Sequence, residues 1–308
     1  MKKVKKFLLL ALTVVVATLL TACGKSSSSA KSYTPKTLKV QFVPSVQAST
    51  LLAKAKPLEK LLSKQLGIPV KISMSTDNNT SIEALKSKQI DVAFLPPDAY
   101  VLAHKQKAAD VLLQALRYGI KQPNGQLTKK LVSSYRAEIL VRKNSGIKSW
   151  KDLKGKSISV QSTTSSGGYI FPVASLKEKG FDVTKKGNAK LVTVLGHDQA
   201  VLNVLNGDTD AAFVFEDARN LVKKDNPDIM KKVVPIYFTE SIPNDTISVR
   251  SDMSQAFRKK LAAAFIAVSK TKKGNEIINS VYNQQGYKTA KDSDFNIVRK
   301  FDKIAEEK

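Results

Sequence analysis

The chain has 308 residues, 42% of them apolar, with one cysteine, two histidines and a formal charge of +25. This length holds one large or two medium α/β domains. The lone cysteine excludes an internal disulfide, and two histidines without ligand spacing argue against a metal site. The lysine excess suits an anionic envelope or a field that draws anions inward. No basic run carries interleaved aromatics or a nucleic-acid reader motif, so nucleic acid is not an expected partner.

Lys2, Lys3, Lys5 and Lys6 precede an apolar run, Phe7 to Leu20, that ends in Leu20-Thr-Ala-Cys23-Gly24. A basic start, a short apolar stretch and small residues before a cut make a signal peptide over residues 1–22. Leu-Thr-Ala-Cys resembles a bacterial lipobox, which implies cleavage before Cys23 and a lipid on its sulfur. The alternative is an ordinary secretory signal with an incidental cysteine. Residues 23–36 are rich in serine and lysine and read as a flexible tether to the outer face of the cytoplasmic membrane.

Apolar strands and helical stretches then alternate, the α/β pattern. Leu38 to Phe42 reads as a strand. Leu51 to Leu66 reads as one helix stopped by Gly67, with Val70 to Met74 as strand again. A helix bearing Ile82 and Leu85 leads to a strand from Val92 to Leu95. Asp91-Val-Ala-Phe94 with Asp98-Ala99 recurs as Asp210-Ala-Ala-Phe213 with Asp217-Ala218, a shift of 119 residues. Such a repeat predicts two lobes on one plan, each an open, largely parallel sheet with its ligand cleft beyond the strand ends. The chain is expected to cross between lobes near 135–142 and 242–250. Lobe 1 would then hold 37–135 with 248–308, and lobe 2 would hold 136–247. The helices after about residue 250, including Phe257 to Val268, return to lobe 1.

From Ser157 to Leu176 twenty residues carry no charge. Within them Gln161-Ser-Thr-Thr-Ser-Ser-Gly-Gly168 joins a strand to a helix start. Unpaired amides, hydroxyls and close-approach glycines there suit an oxyanion held by neutral donors, without a lysine. The plainer reading is an N-cap on a polar loop. A Gly-Lys-Ser/Thr ending is absent, so this is no P-loop and nucleotide hydrolysis is not expected.

"YRAEILVRKNSGIKSWKDLKGKSISVQSTTSSGGYIFP", "GHDQAVLNVLNGDTDAAFVFEDA" and "SIPNDTISVR", in that order, resemble the phosphate/phosphite/phosphonate substrate-binding proteins of ABC transporters. "KSKQIDVAFLPPDAYVLA" resembles that family's first-lobe segment, and the likeness covers roughly residues 36 to 285. It implies a two-lobed type II periplasmic-binding-protein fold, each lobe an open mixed sheet flanked by helices. It also implies no catalysis, no cofactor, a monomer, and delivery of cargo to a permease with its ATPase.

Carried over position by position, the anion loop falls on Thr164, Ser165 and Ser166, with Gly167 and Gly168 opening the helix. The family's Gly-His pair falls on Gly196-His197, and its two carboxylates on Glu216 and Asp245. The imidazole would donate to a phosphoryl oxygen. The carboxylates would pair with a cargo ammonium or accept a P–OH hydrogen, and would repel a fully ionised anion. Capping roles are the alternatives for all three. Where relatives that bind aminoalkylphosphonates place aromatics, this chain has Asn78 and Leu95, so a smaller or different cargo is expected. Tyr100 or Tyr169 would substitute, unless either merely packs. The other readings kept open are a binder of another metabolite, a sensor-associated binder, and a lipid-anchored enzyme on the same fold.

Overall fold

The computed structural model describes residues 32–44, 48–122 and 124–307. The signal segment and Cys23 lie outside them. From the start the order is β1 (Leu38–Phe42), α1 (Ala48–Ala55), α2 (Leu58–Leu66), β2 (Val70–Met74), α3 (Asn78–Lys86), β3 (Val92–Leu95) and α4 (Pro97–Lys105). Strands β4 (Ala109–Lys121), β5 (Gln126–Val132), β6 (Ser134–Arg142) and β7 (Lys156–Val160) lead to α5 (Phe171–Glu178), β8 (Ala189–Thr193), α6 (His197–Asn206) and β9 (Ala211–Phe215). The remainder is α7 (Ile229–Lys232), β10 (Val233–Pro243), β11 (Thr246–Arg250), α8 (Gln255–Lys270), α9 (Lys272–Tyr282), β12 (Gln284–Thr289) and α10 (Asn296–Glu306). Among the described residues no helix is long and apolar enough to cross a membrane.

Two mixed sheets form. One runs β12-β4-β11-β3-β1-β2 with β5 paired to β4; the other runs β10-β6-β9-β7-β8. The repeat is visible in their centres. In each, a first strand lies parallel between two later ones, β3-β1-β2 and β9-β7-β8, and an antiparallel strand closes on the outer side. The repeated aspartates explain why the motif recurs. Asp91 accepts the Lys39 N–H at 2.8 Å and Asp210 accepts the Ser157 N–H at 2.9 Å, each pinning the start of the neighbouring parallel strand. Burial follows the plan, with Phe94 and Phe213 fully or nearly fully buried in their sheets.

Three features differ from the expectation. The antiparallel members β4, β5, β11 and β12 make the first sheet less parallel than the repeat alone suggests. The helix expected over 51–66 is two, because Pro57 cannot donate within a helix and disfavours the helical conformation at Lys56. The β4–β5 hairpin has no counterpart in the expectation. It reaches toward the second sheet, where Gly125 O accepts from Asn220 at 3.1 Å and Gln122 donates to Glu216 at 2.9 Å.

The chain passes between the sheets at 132–134 and 243–246, and the two passages are bonded to each other. Asn244 N–H donates to Ser133 O at 2.8 Å, while its side-chain amide donates to Val132 O and Ala115 O at 2.9 and 3.0 Å. A third tie comes from α10, whose Phe301 stacks on Phe171 of α5 with centroids 4.4 Å apart.

Candidate functional site

A cavity of about 170 Å³ lies where the strand ends of the two sheets face each other. It is comparable to cavities of about 150 Å³ known to hold a benzene-sized ligand. Its wall includes Ser165, Ser166 and Gly167 of the serine loop, Asn78 and Leu95 of the first sheet's layer, and His197 and Asp245.

The loop forms because β7 ends at Val160 and a single wide helical turn, Ser166–Ile170, precedes α5. Ser165 caps that turn, its Oγ accepting from Gly168 N at 3.2 Å. Tyr169 and Ile170 both donate to Ser165 O at 3.0 Å. The N–H groups of Ser166 and Gly167 have no acceptor among the described residues, as the start of a helix requires. A Cβ on Gly167 would sit 3.2 Å from Phe215 Cα, and one on Gly168 would overlap the Gln161 side-chain amide. Gly167 therefore permits backbone to meet backbone at the cavity wall, and Gly168 leaves room for the Gln161 side chain.

Three hydrogen bonds from two residues cross the gap to this loop. Asp98 N–H, at the start of α4, donates to Ser166 Oγ at 3.2 Å. Asn78 Nδ2, at the start of α3, donates to Thr164 O and Oγ1 at 3.2 and 3.3 Å. Ser166 accepts from Asp98 and lies beside the Tyr135 phenol on the cavity wall. Thr164 is on the loop but outside the cavity lining, its hydroxyl shared between Asn78 and Ser162.

His197 opens α6, and its tautomer follows from its contacts. Nδ1 accepts the Phe215 N–H at 3.4 Å, so the neutral ring carries its hydrogen on Nε2. Burial, with Arg117 nearby, lowers its pKa from the ordinary 6.5 to about 3. The ring is thus a neutral donor at physiological pH, resting edge-on against Phe215 at 4.7 Å. Asp245 stands in the β10–β11 turn. Burial raises its carboxyl above the usual carboxylate range, against the opposing pull of Arg117 and Gln284.

Three further expected residues are placed elsewhere. Glu216 does not line the cavity; its carboxylate accepts from Arg136 at 2.5 Å and from Gln122 at 2.9 Å. Phe215 just before it ends β9 facing the cavity, and Glu216 opens the turn after it. Tyr100 is fully buried within the first-sheet layer, donating to Asp292 at 2.6 Å and packing on Phe295 at 4.8 Å. Tyr169 also lies off this cavity.

Arg117, Tyr135, Phe215 and Tyr282 line the cavity and were not expected there. Arg117 corrects the picture of a site with neutral donors alone. Its guanidinium carbon is 5.4 Å from the Tyr135 ring centre and 5.3 Å from that of Phe215. Its only sequence signal is a single cation inside the apolar strand of residues 111–120.

The model of the ABC transporter phosphonate periplasmic substrate-binding proteins matches residues 40–295. The chain belongs to this family. It is 32% identical over 213 residues to the phosphate-import protein PhnD of Mycolicibacterium smegmatis, covering 65% of this chain and 63% of that protein. It is 26% identical over 266 residues to the arginine-binding extracellular protein ArtP of Bacillus subtilis, covering 83% and 91%. Among solved structures, PhnD1 of Prochlorococcus marinus in complex with methylphosphonate matches with a TM-score of 0.74, over 88% of this chain and 98% of that one, at 20% identity. That likeness carries the two-lobed mixed α/β fold, and the family is one of extracytoplasmic binding proteins that serve ABC importers.

Proposed function

We propose that this protein captures a small phosphorus oxyanion in the cavity between its sheets and hands it to an ABC permease without chemical turnover. The observation that carries the reading is the convergence of donors on one small cavity: the free amides of Ser166 and Gly167, the serine hydroxyls, and the Nε2–H of His197. Asn78 and Leu95 stand on the cavity wall where relatives that bind aminoalkylphosphonates place aromatics, which favours phosphate, phosphite or methylphosphonate as cargo. Glu216, the expected partner of an ammonium, is engaged by Arg136 and Gln122.

The lobes would be 37–135 with 248–308, and 136–247, hinged where Ser133 and Asn244 bond. Thr164 would set the loop from its edge, while Ser165, Ser166, Gly167, His197 and Asp245 contact cargo. The lipid on Cys23 would hold the protein at the outer face of the membrane, as a monomer; radiolabelled palmitate incorporation, lost in Cys23→Ala, tests that anchor.

Calorimetry of the purified protein against phosphate, phosphite, methylphosphonate, aminoethylphosphonate and arginine tests the cargo. One-to-one binding of a tailless phosphorus anion is expected. Flat titrations for all four phosphorus compounds, with tight binding of arginine, would overturn it. Arg117 on the cavity wall opposes a guanidinium cargo by like charge.

A further inference from the structure

Arg117 stands near the middle of β4, in register with Gln284 of β12 and Val132 of β5. Arg136, Arg219, Arg250, Arg258 and Arg299 each pair with a carboxylate; among the described residues Arg117 and Arg142 have no such ion pair, and of these two Arg117 lines the cavity. Two ring faces hold it instead. Tyr135 connects it to the serine loop, because the phenol meets Ser166. Phe215 connects it to His197 and to Gly167. The guanidinium therefore sits among the same donors that converge on the cavity, oriented by cation–π contact rather than by a counter-ion.

The two carboxylates on the wall offset it only in part, although Asp245 feels its charge. Asp77 is committed to capping α3, its side chain accepting Thr80 N–H at 2.8 Å. Asp245 is buried, which disfavours its charged form. A cation without a carboxylate at ion-pair distance in a partly apolar cavity is costly until an anion enters. The planar fork also matches two oxygens of a phosphoryl group.

We propose that Arg117 is the residue that sets the charge of the cargo, its guanidinium meeting the second negative charge of a doubly ionised phosphorus oxyanion. This rests on the phosphorus reading above and adds to it. The neutral donors hold any phosphoryl oxygen, and the arginine discriminates dianion from monoanion.

Phosphite and hypophosphite separate the two, since in mildly alkaline buffer the first is a dianion and the second a monoanion of similar size. Calorimetry on wild type, Arg117→Met and Arg117→Lys is the test. Arg117→Met is expected to lose roughly tenfold or more in phosphite affinity while hypophosphite affinity stays within about threefold. Arg117→Lys should keep most of the preference. If Arg117→Met does not fold, the phosphite-to-hypophosphite ratio of Arg117→Gln against Arg117→Lys decides in its place. An unchanged ratio, or equal loss of both anions, would overturn the charge assignment and leave the phosphorus reading standing. A wild-type protein that takes neither anion, nor phosphate nor methylphosphonate, would remove that reading and the assignment with it.

Discussion

The backbone amide of Asp98 donates to the hydroxyl of Ser166, 3.2 Å away and on the opposite side of the cleft. One serine therefore serves both lobes. It accepts from the first helix turn of α4 and also lines the cavity, so closure and the cavity wall use the same side chain.

Ser166→Ala should accordingly cost more than a single ligand contact. Phosphite or phosphate binding is expected to weaken by about 1–3 kcal/mol from the lost hydroxyl and the unpaired Asp98 amide together. Asn78→Ala removes the companion bond to Thr164 without touching the serine hydroxyls. It should raise the dissociation rate more than it lowers the association rate. Stopped-flow measurement would separate the two variants, and a Ser166→Ala protein binding like wild type would count against the loop as the anion seat.

His197 predicts a particular pH dependence. Its folded pKa, about 3, lies below the ordinary 6.5. Below 6.5 the unfolded chain therefore takes up a proton that the folded state refuses, and stability falls as pH drops from there toward 3. The limiting slope for one such group is about 1.4 kcal/mol per pH unit. Urea unfolding of wild type and His197→Gln across this range should show the gap between them narrowing with acid. Parallel curves would mean the imidazole is not held neutral. Above 6.5 the ring stays a neutral donor, so its contribution to anion binding should be flat with pH.

Gly168→Ala tests the close approach on which the loop depends. The added methyl would overlap the Gln161 amide and crowd Ser165 Oγ at 2.9 Å. With Gln161 buried the loop is expected to shift, at a cost of about 1–3 kcal/mol in thermal stability and a larger relative loss of anion affinity. A crystal structure of the variant with an unmoved loop would refute the argument.

What the sequence made legible were features written in consecutive residues. The serine–glycine run shows itself because its hydroxyls, glycines and missing charges lie side by side. The aspartates at 91 and 210 show themselves because each pins a neighbouring parallel strand in the same way. Arg117 was hidden because its role comes from Tyr135 and Phe215, the latter distant in sequence, and strand pairing alone brings them together. Pro57 was a readable break, overridden by the strong leucine periodicity on either side of it. Tyr100 follows the proline pair closely, yet only the first turn of α4 faces the cleft, and its ring turns inward toward Phe295.

Glu216 gives the sharpest test of placement, since chain order and local motif both point to the cavity and side-chain direction points away. Phe215 ends β9 facing the cavity, and Glu216 opens the turn after it on the far side, where Arg136 and Gln122 both donate to it. Its side chain is 9% exposed while that of Arg136 is 37% exposed. In Glu216→Gln the arginine keeps its contact with the Phe238 ring at 4.4 Å and returns partly to water. The expected stability loss is therefore modest, about 1 kcal/mol. Phosphite affinity should stay within about twofold, because no ligand contact is removed. Wild type should also show no gain for aminoethylphosphonate over methylphosphonate, the engaged carboxylate having no charge to spare for an ammonium. A tenfold drop in binding for Glu216→Gln with unchanged thermal stability would return this residue to the cargo and reverse the assignment.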